Sequence, residues 1–292
     1  MTLAFGFAMK RFLPTRAGMK LSQDKTPSTS MDQQAIVDEV ISRARRRLLC
    51  MHLHAKAGHV GGNLSCLEAI VALHHWGMKP EDQFVLSKGH SAGALYVALW
   101  SVGKLSDAEL DSFCRDDTTL PGHPSGTGIP GLLFSTGSLG HGPSLSAGLA
   151  LAARHKGSGK RVFCLCSDGE WQEGACWEAL TFAVHQRLDN LTILIDQNGW
   201  QGFGRTEEVV SFNDLTSRLE SFGGSVVSVD GHDIAAIMGG LGAGQANRPH
   251  IVVLKTVKGR GLHYEDRLDS HYLPLPDDFN VDARGASTEG SR

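Results

Sequence analysis

The sequence predicts a doubly wound α/β fold, with a mostly parallel sheet and helices on both of its faces. Two observations predict this fold. First, four short apolar runs alternate with three segments of helical periodicity, and strand–helix alternation is typical of such sheets. The runs lie at 161–166, 191–196, 225–229 and 250–254, and the helical segments near 174–187, 213–222 and 233–243. Second, a run such as 191–195 is apolar on both of its faces, as parallel strands covered by helices are.

The first half of the chain adds helices and one further strand. A stripe of apolar residues from Met31 to about Ala57 predicts a long helix. Glycine is frequent at 58–63, so this stretch is not expected to continue the helix. A short buried strand is predicted at 84–86, followed by a helix that ends near Trp100.

Two short motifs predict where helices begin. Ser65 with Glu68, and Ser106 with Glu109, each place a serine three residues before a glutamate, which is the pattern of a capping box. Residues 118–144 are instead rich in Gly, Pro, Ser and Thr. A linker is one interpretation of this segment, but a loop of this length inside a compact chain is usually functional or disordered.

Three segments are expected along the chain. Residues 1–30 carry four Lys or Arg before their first acidic residue, which resembles a transit peptide weakly. Pro14 and Gly18, however, interrupt the amphipathic helix that such a peptide would form. We therefore expect a disordered or variable N-terminal extension at 1–30, a folded domain at 31–275 and a polar C-terminal tail at 276–292.

Composition argues against several classes of protein. Lys plus Arg total 28 against 31 Asp plus Glu, which gives a formal net charge of -3, and no basic stripe suggests binding to nucleic acid. The sequence contains no run of about 18 apolar residues, so it predicts no membrane span. The six cysteines form no C-x-x-C pair, which favours reduced thiols in a cytoplasmic protein.

Polar residues follow two of the predicted strands at the point where each strand ends. The strand at 161–166 runs into Ser167-Asp168-Gly169, and the next strand runs toward Asn198. Neighbouring parallel strands present their carboxyl ends at one edge of a sheet, where ligands of such sheets bind. Asp168 and Asn198 are 30 positions apart (198 − 168), which leaves room for one helix and one strand. We therefore expect the two side chains to lie at the same edge.

These residues suit a magnesium diphosphate. Mg²⁺ prefers oxygen ligands, and Asp168 supplies a carboxylate, Asn198 an amide oxygen and Trp200 a backbone carbonyl. Gly169 lets the backbone approach a phosphate, and the helix behind it offers free N–H groups. Asp-Gly and Asn-Gly are also common turns, so either pair alone is more often structural. Together, each at a strand end, they favour a ligand site.

The same residues resemble the fingerprint of thiamine-diphosphate enzymes, which is Asp-Gly followed about thirty residues later by Asn. Further short motifs narrow the resemblance to the transketolase family, in that family's order and over roughly residues 40–275. They are Gly58-His59, Ser87-Lys88-Gly89-His90, Gly122-His123-Pro124, Gly137-Ser138-Leu139-Gly140, Trp171-Gln172-Glu173-Gly174, Asp230-Gly231-His232-Asp233 and Ser270-His271. Each motif alone is weak, whereas the combination is specific. Ser167, His141 and Tyr272 depart from the family pattern, which usually has Gly, Gln and Gly there.

The resemblance implies thiamine diphosphate bound through Mg²⁺, and a role for each loop. It implies that His59, His123 and His271 act on the substrate and that Glu173 points across a subunit interface. The implied cofactor-binding residues are His90, Gly137, Ser138, Leu139, Asp168, Gly169 and Asn198, and the implied metal ligands are Asp168, Asn198 and Trp200. The competing interpretations are that a lone His beside Gly lies on the surface, and that Glu173 is a helix-start carboxylate favoured by the helix dipole.

Transketolases carry two further domains after this one, so the resemblance implies a split enzyme. This chain would be the diphosphate-binding subunit of a transketolase that transfers a two-carbon ketol unit from a ketose or ketose phosphate to an aldose. Its partner would be a pyrimidine-binding subunit, in a heterotetramer with two copies of each chain. The lone chain would be inactive, because the carboxylate that activates the cofactor belongs to the other half.

Three other functions stay open. The first is the alpha chain of the decarboxylating component of a 2-oxo-acid dehydrogenase, which shares Asp-Gly and Asn but not the Lys-Gly-His and Gly-His-Pro loops. The second is a non-catalytic cofactor-binding module, against which the intact Asp168, Asn198 and loop histidines argue. The third is a nicotinamide enzyme, but no G-x-G-x-x-G motif follows a first strand.

Overall fold

The computed structural model describes residues 30–126 and 128–282, and a parallel sheet lies at its centre. The strands in these ranges are β1 (Gln83–Leu86), β2 (Val162–Ser167), β3 (Leu191–Gln197), β4 (Trp200–Gln201), β5 (Gly204–Arg205), β6 (Ser225–Asp230) and β7 (His250–Lys255). The main sheet has the order β1-β2-β3-β7-β6, and all of its neighbouring strands are parallel. β4 and β5 form a separate antiparallel hairpin. The predicted parallel α/β sheet is confirmed.

Helices connect and cover these strands. They are α1 (Ser30–Ala55), α2 (Val60–Ser65), α3 (Leu67–Ala72), α4 (Ala92–Ser101), α5 (Asp107–Asp111), α6 (His141–His155), α7 (Gly174–His185), α8 (Thr206–Val209), α9 (Leu215–Ser221), α10 (Ile234–Leu241) and α11 (Asp269–Tyr272). Within residues 30–126 and 128–282, none of the helices combines the length and the apolar character that a bilayer span requires.

Alternate residues of the strands face two separate cores, as expected for a sheet that is covered on both faces. Phe163 and Leu165 of β2 pack into a first core with residues of α1, α3, α4 and α10. Cys164 and Cys166, whose Sγ atoms are 3.7 Å apart, pack into a second core with residues of α6, α7 and α9. The two cores fix the strands, and the strands in turn fix the loops that follow them.

The predicted capping box at Ser65 is wrong. Ser65 is the last residue of α2, and the following helix begins without a side-chain cap. The buried Ser65 hydroxyl donates to Asp196 Oδ2 (2.5 Å), and Glu68 Oε2 lies 3.3 Å from His232 Nδ1. Both side chains of the motif therefore make long-range contacts instead of starting a helix.

The glycine-rich stretch at 58–63 does not continue the preceding helix, as predicted, but it is only partly irregular. α1 ends at Ala55, but helical structure resumes at Val60. His59 separates the two helices with a left-handed φ of 62°, and its N–H donates to the carbonyl of His271 (3.0 Å). This turn brings two of the predicted site residues together.

Two further predictions concern helix α5 and the C-terminal segment. The capping box of Ser106 and Glu109 is confirmed, because both of its hydrogen bonds are present. Phe279 and Val281 pack against the first core, beyond the predicted end of the folded domain. The predicted N-terminal extension, apart from its last residue, and the end of the predicted tail at 283–292 lie outside the described residues.

Candidate functional site

The carboxyl ends of β2 and β3 lie side by side, so the loops that follow them meet. Ser167 pairs with Asp196 in the sheet register, and the N–H of Asp168 donates to the carbonyl of Asp196 (3.1 Å). The N–H of Gly199 donates to Asp168 Oδ2 (2.8 Å). The structure therefore brings Asp168 and Asn198 to one edge of the sheet, as their spacing predicts.

Asp168 is a buried carboxylate surrounded by hydrogen-bond donors. It is 3% exposed and accepts from the N–H of Gly169 (2.9 Å), the N–H of Gly199 and the hydroxyl of Thr206 (3.1 Å). Burial, followed by the negative charge of Asp196, raises the pKa of Asp168 to about 6. A cation placed beside this carboxylate would favour its charged form, which suits a metal ligand.

Two further oxygens follow in the loop after β3. Asn198 Oδ1 accepts the N–H of Trp200 (3.0 Å), and the carbonyl of Trp200 accepts from Lys258 Nζ (3.3 Å). Each oxygen has a second lone pair. Within residues 30–126 and 128–282, no group of three His, Cys, Asp or Glu side chains could hold a metal ion. A cation at this edge would thus depend on amide, carbonyl and ligand oxygens beside one carboxylate, and that donor set fits Mg²⁺ on a diphosphate.

Four histidines from four different loops form one group, which we call the histidine cluster. The ring centroid of His59 lies 5.6 Å from that of His90, 5.7 Å from that of His123 and 4.9 Å from that of His271. His90 and His271 are 5.8 Å apart by the same measure. The structure thus brings together the three histidines that the resemblance assigns to the substrate and the one, His90, that it assigns to the cofactor.

The environment of the cluster favours the neutral form of three of its rings, those of His59, His90 and His271. Burial, together with His123 and Lys258, lowers the pKa of His59. Burial lowers the pKa of His90 well below its usual value, and burial and Lys258 lower the pKa of His271 to about 3. A neutral imidazole donates from one ring nitrogen and accepts at the other. These rings can therefore bind hydroxyl groups and move protons without carrying a charge.

A lysine that the sequence reasoning missed lies beside the cluster. Lys258 is 1% exposed, and its Nζ contacts His271 Nδ1 (2.9 Å) as well as the carbonyl of Trp200. Burial and the positive charge of Lys88 lower the pKa of Lys258 to about 8. The rule that identified Asn198 could have found this residue, because Lys258 also follows the carboxyl end of a parallel strand, β7.

A buried ionic network adjoins the site, and we call it the Asp196 network. Lys88 and Asp196 are fully buried and form an ion pair. Ser65, Thr256 and Asn198 also donate to the carboxylate of Asp196. Burial opposes both charges, but the pairing outweighs it, so the pKa of Lys88 is raised and that of Asp196 is lowered. Lys88 stands in one of the motifs named above and Asp196 at a predicted strand end, but their pairing was not predicted.

The predicted cofactor loop, residues 137–140, is anchored by a buried carboxylate. Glu170 Oε1 accepts the N–H at the end of this loop (2.7 Å) and the hydroxyl of Ser87. Glu170 is 0% exposed, and burial raises its pKa. The two middle residues of the loop, Ser138 and Leu139, are exposed. Glu170 thus ties the loop to the ends of β1 and β2, a contact that the sequence reasoning missed.

Glu173 is exposed and lies beside the same loop. It lies at the start of a helix, as the N-cap residue of α7, but its carboxylate makes no cap hydrogen bond. A Cβ atom at Gly140 would lie 2.9 Å from Glu173 Cβ, which shows how closely the two segments approach. The role of Glu173 across a subunit interface stays a prediction.

Comparisons with known proteins agree with this arrangement. Residues 39–286 match the family described as "Transketolase, thiamine diphosphate binding domain". The chain is 35% identical over 256 residues to a subunit of the apulose-4-phosphate transketolase of Phocaeicola vulgatus, and the match covers 83% of this chain and 91% of that protein. It is 36% identical over 234 residues to the 6-deoxy-6-sulfo-D-fructose transketolase subunit SqwG of a Clostridium strain, covering 76% and 85% respectively.

Solved transketolase structures share the fold. The transketolase from Leishmania mexicana superposes with a TM-score of 0.79 at 26% identity, over 85% of this chain and 41% of that one. The transketolase from Campylobacter jejuni gives a TM-score of 0.75 at 27% identity, over 86% and 42% respectively. The chain therefore spans about two fifths of the length of these enzymes, but most of the length of the two transketolase subunits that it resembles.

Proposed function

This chain belongs to the transketolase family, and from that premise we propose that it is the diphosphate-binding subunit of a split, Mg²⁺-dependent transketolase. The observation that carries the proposal is the meeting of two groups of residues at one sheet edge. Asp168 and Asn198 provide oxygens for a metal diphosphate, and Lys258 links their loop to the histidine cluster by contacting Trp200 and His271.

The residues at this edge would hold thiamine diphosphate through its metal ion. Asp168, Asn198 and the carbonyl of Trp200 would bind Mg²⁺, because all three present oxygen donors. His90 and the loop at 137–140 would contact the cofactor, and Gly169 would leave its backbone open to the diphosphate. When bound, thiamine diphosphate supplies the nucleophilic carbon and the electron sink for cleaving a ketose.

The contact between Lys258 and His271 determines where one proton lies. A lysine ammonium group can only donate hydrogen bonds, so His271 Nδ1 accepts and the proton of the neutral ring lies on Nε2. His271 would then offer an N–H to a substrate hydroxyl or to a developing alkoxide. His59 and His123, which belong to the same cluster, would bind neighbouring hydroxyl groups and transfer protons at their ring nitrogens.

A second chain would complete the enzyme. The two relatives that are named as transketolase subunits have nearly the same length as this chain, whereas the solved transketolases are more than twice as long. We assign the other half to a pyrimidine-binding subunit, in a heterotetramer with two copies of each chain, and Glu173 to the interface between the chains. The cysteines at all six positions are free, which supports a cytoplasmic location.

Sugars or sugar phosphates are the proposed substrates. The names of the two subunit relatives contain a sugar phosphate and a sulfonated sugar, and neutral histidines suit the hydroxyl groups of such molecules. The family match over 39–286 disfavours the 2-oxo-acid dehydrogenase chain. The assembled histidine cluster argues against a non-catalytic module, because binding a cofactor alone needs no such group.

Ketol transfer by purified chains tests the proposal. The chain, a candidate pyrimidine-binding partner and their mixture are each assayed with thiamine diphosphate, Mg²⁺, ketose or ketose phosphate donors and aldose acceptors. We expect turnover from the mixture alone, and none after Mg²⁺ is removed with EDTA. Turnover by the lone chain would contradict the division of the enzyme. Release of CO₂ from a 2-oxo acid, without ketol transfer, would support the dehydrogenase alternative.

A further inference from the structure

Asp196 is a buried carboxylate at the end of β3, two residues before Asn198. It is 0% exposed. Its Oδ2 atom accepts from Lys88 Nζ, from Ser65 Oγ (2.5 Å) and from Asn198 Nδ2 (3.1 Å), and its Oδ1 atom accepts from Thr256 Oγ1. Asp196 therefore contacts the predicted metal ligand Asn198 from the nitrogen side of its side chain.

The orientation of the Asn198 carboxamide decides whether this side chain can bind a cation. The two ends of a carboxamide have nearly the same shape, but only the oxygen is a metal ligand. An ionised carboxylate can only accept hydrogen bonds, so the end of Asn198 that faces Asp196 has to be the NH₂ group. The oxygen is thereby directed to the opposite side.

Two neighbours agree with this orientation. The Ser65 hydroxyl donates its one proton to Asp196, with the carbonyl of Gly62 as a second acceptor at 3.1 Å. Its oxygen is therefore left to accept from Asn198 Nδ2 (3.4 Å). On the opposite side, the N–H of Trp200 donates to Asn198 Oδ1 (3.0 Å). Acceptors on one side and a donor on the other give the carboxamide one favourable orientation.

We propose that Asp196 is a positioning residue that holds the oxygen of Asn198 toward the cation of the diphosphate site. The identity of the cation rests on the proposed function, but the orientation is a property of this chain alone. Lys88 holds the carboxylate in place, and it is itself held by the carbonyl of Gly62 (3.0 Å). Groups that orient a metal ligand commonly change metal affinity by about 10- to 100-fold when they are removed.

A variant of Thr256 distinguishes the positioning role of Asp196 from a purely structural role, in which Asp196 only neutralises Lys88. The hydroxyl of Thr256 donates to the Oδ1 atom of Asp196, on the opposite oxygen from Asn198. Thr256→Val therefore removes a hydrogen bond of the same carboxylate without removing the contact with the carboxamide. If the role were structural, metal affinity would follow stability in this variant and in variants of Asp196 alike.

The first experiment compares metal binding by four forms of the full chain: the unchanged protein, Asp196→Ala, Asp196→Asn and Thr256→Val. Binding of the Mn²⁺ complex of thiamine diphosphate is followed by the EPR signal of Mn²⁺. We expect Asp196→Ala to weaken binding by about 10- to 100-fold. Asp196→Asn keeps an acceptor oxygen for Asn198 and should restore binding to within about threefold, and Thr256→Val should match the unchanged protein. Unchanged affinity in a folded Asp196→Ala variant would overturn the proposal.

The second experiment needs neither a metal nor a folded Asp196 variant. NMR of the metal-free chain with ¹⁵N-labelled asparagine reports the side-chain NH₂ group of Asn198, assigned by its loss in Asn198→Ala. We expect its protons to exchange with water more slowly than those of the exposed Asn213. Equally fast exchange would overturn the proposal. Slow exchange in a chain that binds no cation even with its partner present would instead contradict the proposed function, and would leave the hydrogen bonding of the Asn198 NH₂ group confirmed.

Discussion

The histidine cluster and the Asp196 network adjoin one another but differ in how fully their polar atoms are hydrogen-bonded within the chain. The cluster rings contact mainly one another, and His59 Nδ1 has no hydrogen-bond partner among the described residues. In the network, Lys88 and Asp196 are paired with each other and with further neighbours. The contacts indicate that the network stabilises the fold, whereas the cluster keeps hydrogen-bonding capacity for a ligand.

Removing the cation of the network should have the largest effect on stability. Lys88→Met keeps the length of the side chain but leaves the Asp196 carboxylate buried without its partner. Loss of one member of a buried ion pair costs about 3–5 kcal/mol. We expect a decrease of that size in the free energy of unfolding, measured by denaturation with guanidinium chloride.

The matched control is a lysine whose ion pair is exposed. Lys56 lies 3.1 Å from Asp277, and both side chains are largely in solvent. Lys56→Met should cost less than about 1 kcal/mol. Equal effects of the two lysine substitutions would show that the Asp196 network does not stabilise the fold in the way that its burial implies.

The cluster should show the reverse pattern. His123 is exposed, and its ring lies 5.7 Å from that of His59. His123→Asn should change the free energy of unfolding by no more than about 0.5 kcal/mol. It should lower kcat/KM of the enzyme assembled with its partner by about 100-fold, because a positioned acid or base contributes at least that much.

His155→Asn serves as the control for this substitution. His155 is an exposed histidine at the end of α6, outside the cluster, and both measurements should stay at the values of the unchanged protein. A stability loss in His123→Asn as large as that in Lys88→Met would remove the distinction between the two regions. Full activity in His123→Asn would remove the assigned role of His123.

Much of the fold could be predicted because its signals are local. Apolar runs and helical periodicity indicate strands and helices within a few residues, and the capping box at Ser106 closes over three positions. The motif at Ser65 predicted a capping box that is absent, because the contact that Ser65 makes is not local. Its hydroxyl bonds to Asp196, which is 131 positions away, and no local pattern reveals such a partner.

The same limit applies to the site. The histidines could be identified because each stands in a short motif, and Asp168 and Asn198 because each follows an apolar strand. The partner of Lys88 lies 108 positions from it, so the ion pair becomes visible only when β3 is placed in the sheet. Glu170 and Lys258 could be predicted only in part, because the ends of the strands indicate where these residues lie but not what they contact.

A buried histidine outside the cluster, His52, makes the stability of the fold depend on pH. Burial lowers the pKa of His52 from 6.5 to about 4, so between these values the unfolded chain binds a proton that the folded chain does not. The stability associated with neutral His52 is complete above pH 6.5 and is lost as the pH falls toward 4. From roughly pH 7 to pH 5.5, His52 alone should lower the free energy of unfolding by about 1 kcal/mol.

His52→Asn isolates this effect. The Nδ1–H of His52 donates to the carbonyl of Ala57 (3.2 Å), and an asparagine amide can replace that donor without titrating. Chemical denaturation at both pH values should show a smaller loss of stability in the variant than in the unchanged protein. An identical pH dependence in the two proteins would contradict the assignment to His52.

Binding of the cofactor tests the central claim, that Asp168 and Asn198 hold a metal diphosphate at the edge of the sheet. Isothermal titration calorimetry, with the partner chain and Mg²⁺ present, compares the unchanged chain with Asp168→Ala and with Asp189→Ala. Asp189 is an exposed carboxylate that also accepts a backbone N–H, that of Asn247 (3.0 Å). We predict that Asp168→Ala keeps its fold by circular dichroism but binds thiamine diphosphate about 100-fold or more weakly, and that Asp189→Ala binds normally. Equal affinity in all three proteins would contradict the claim.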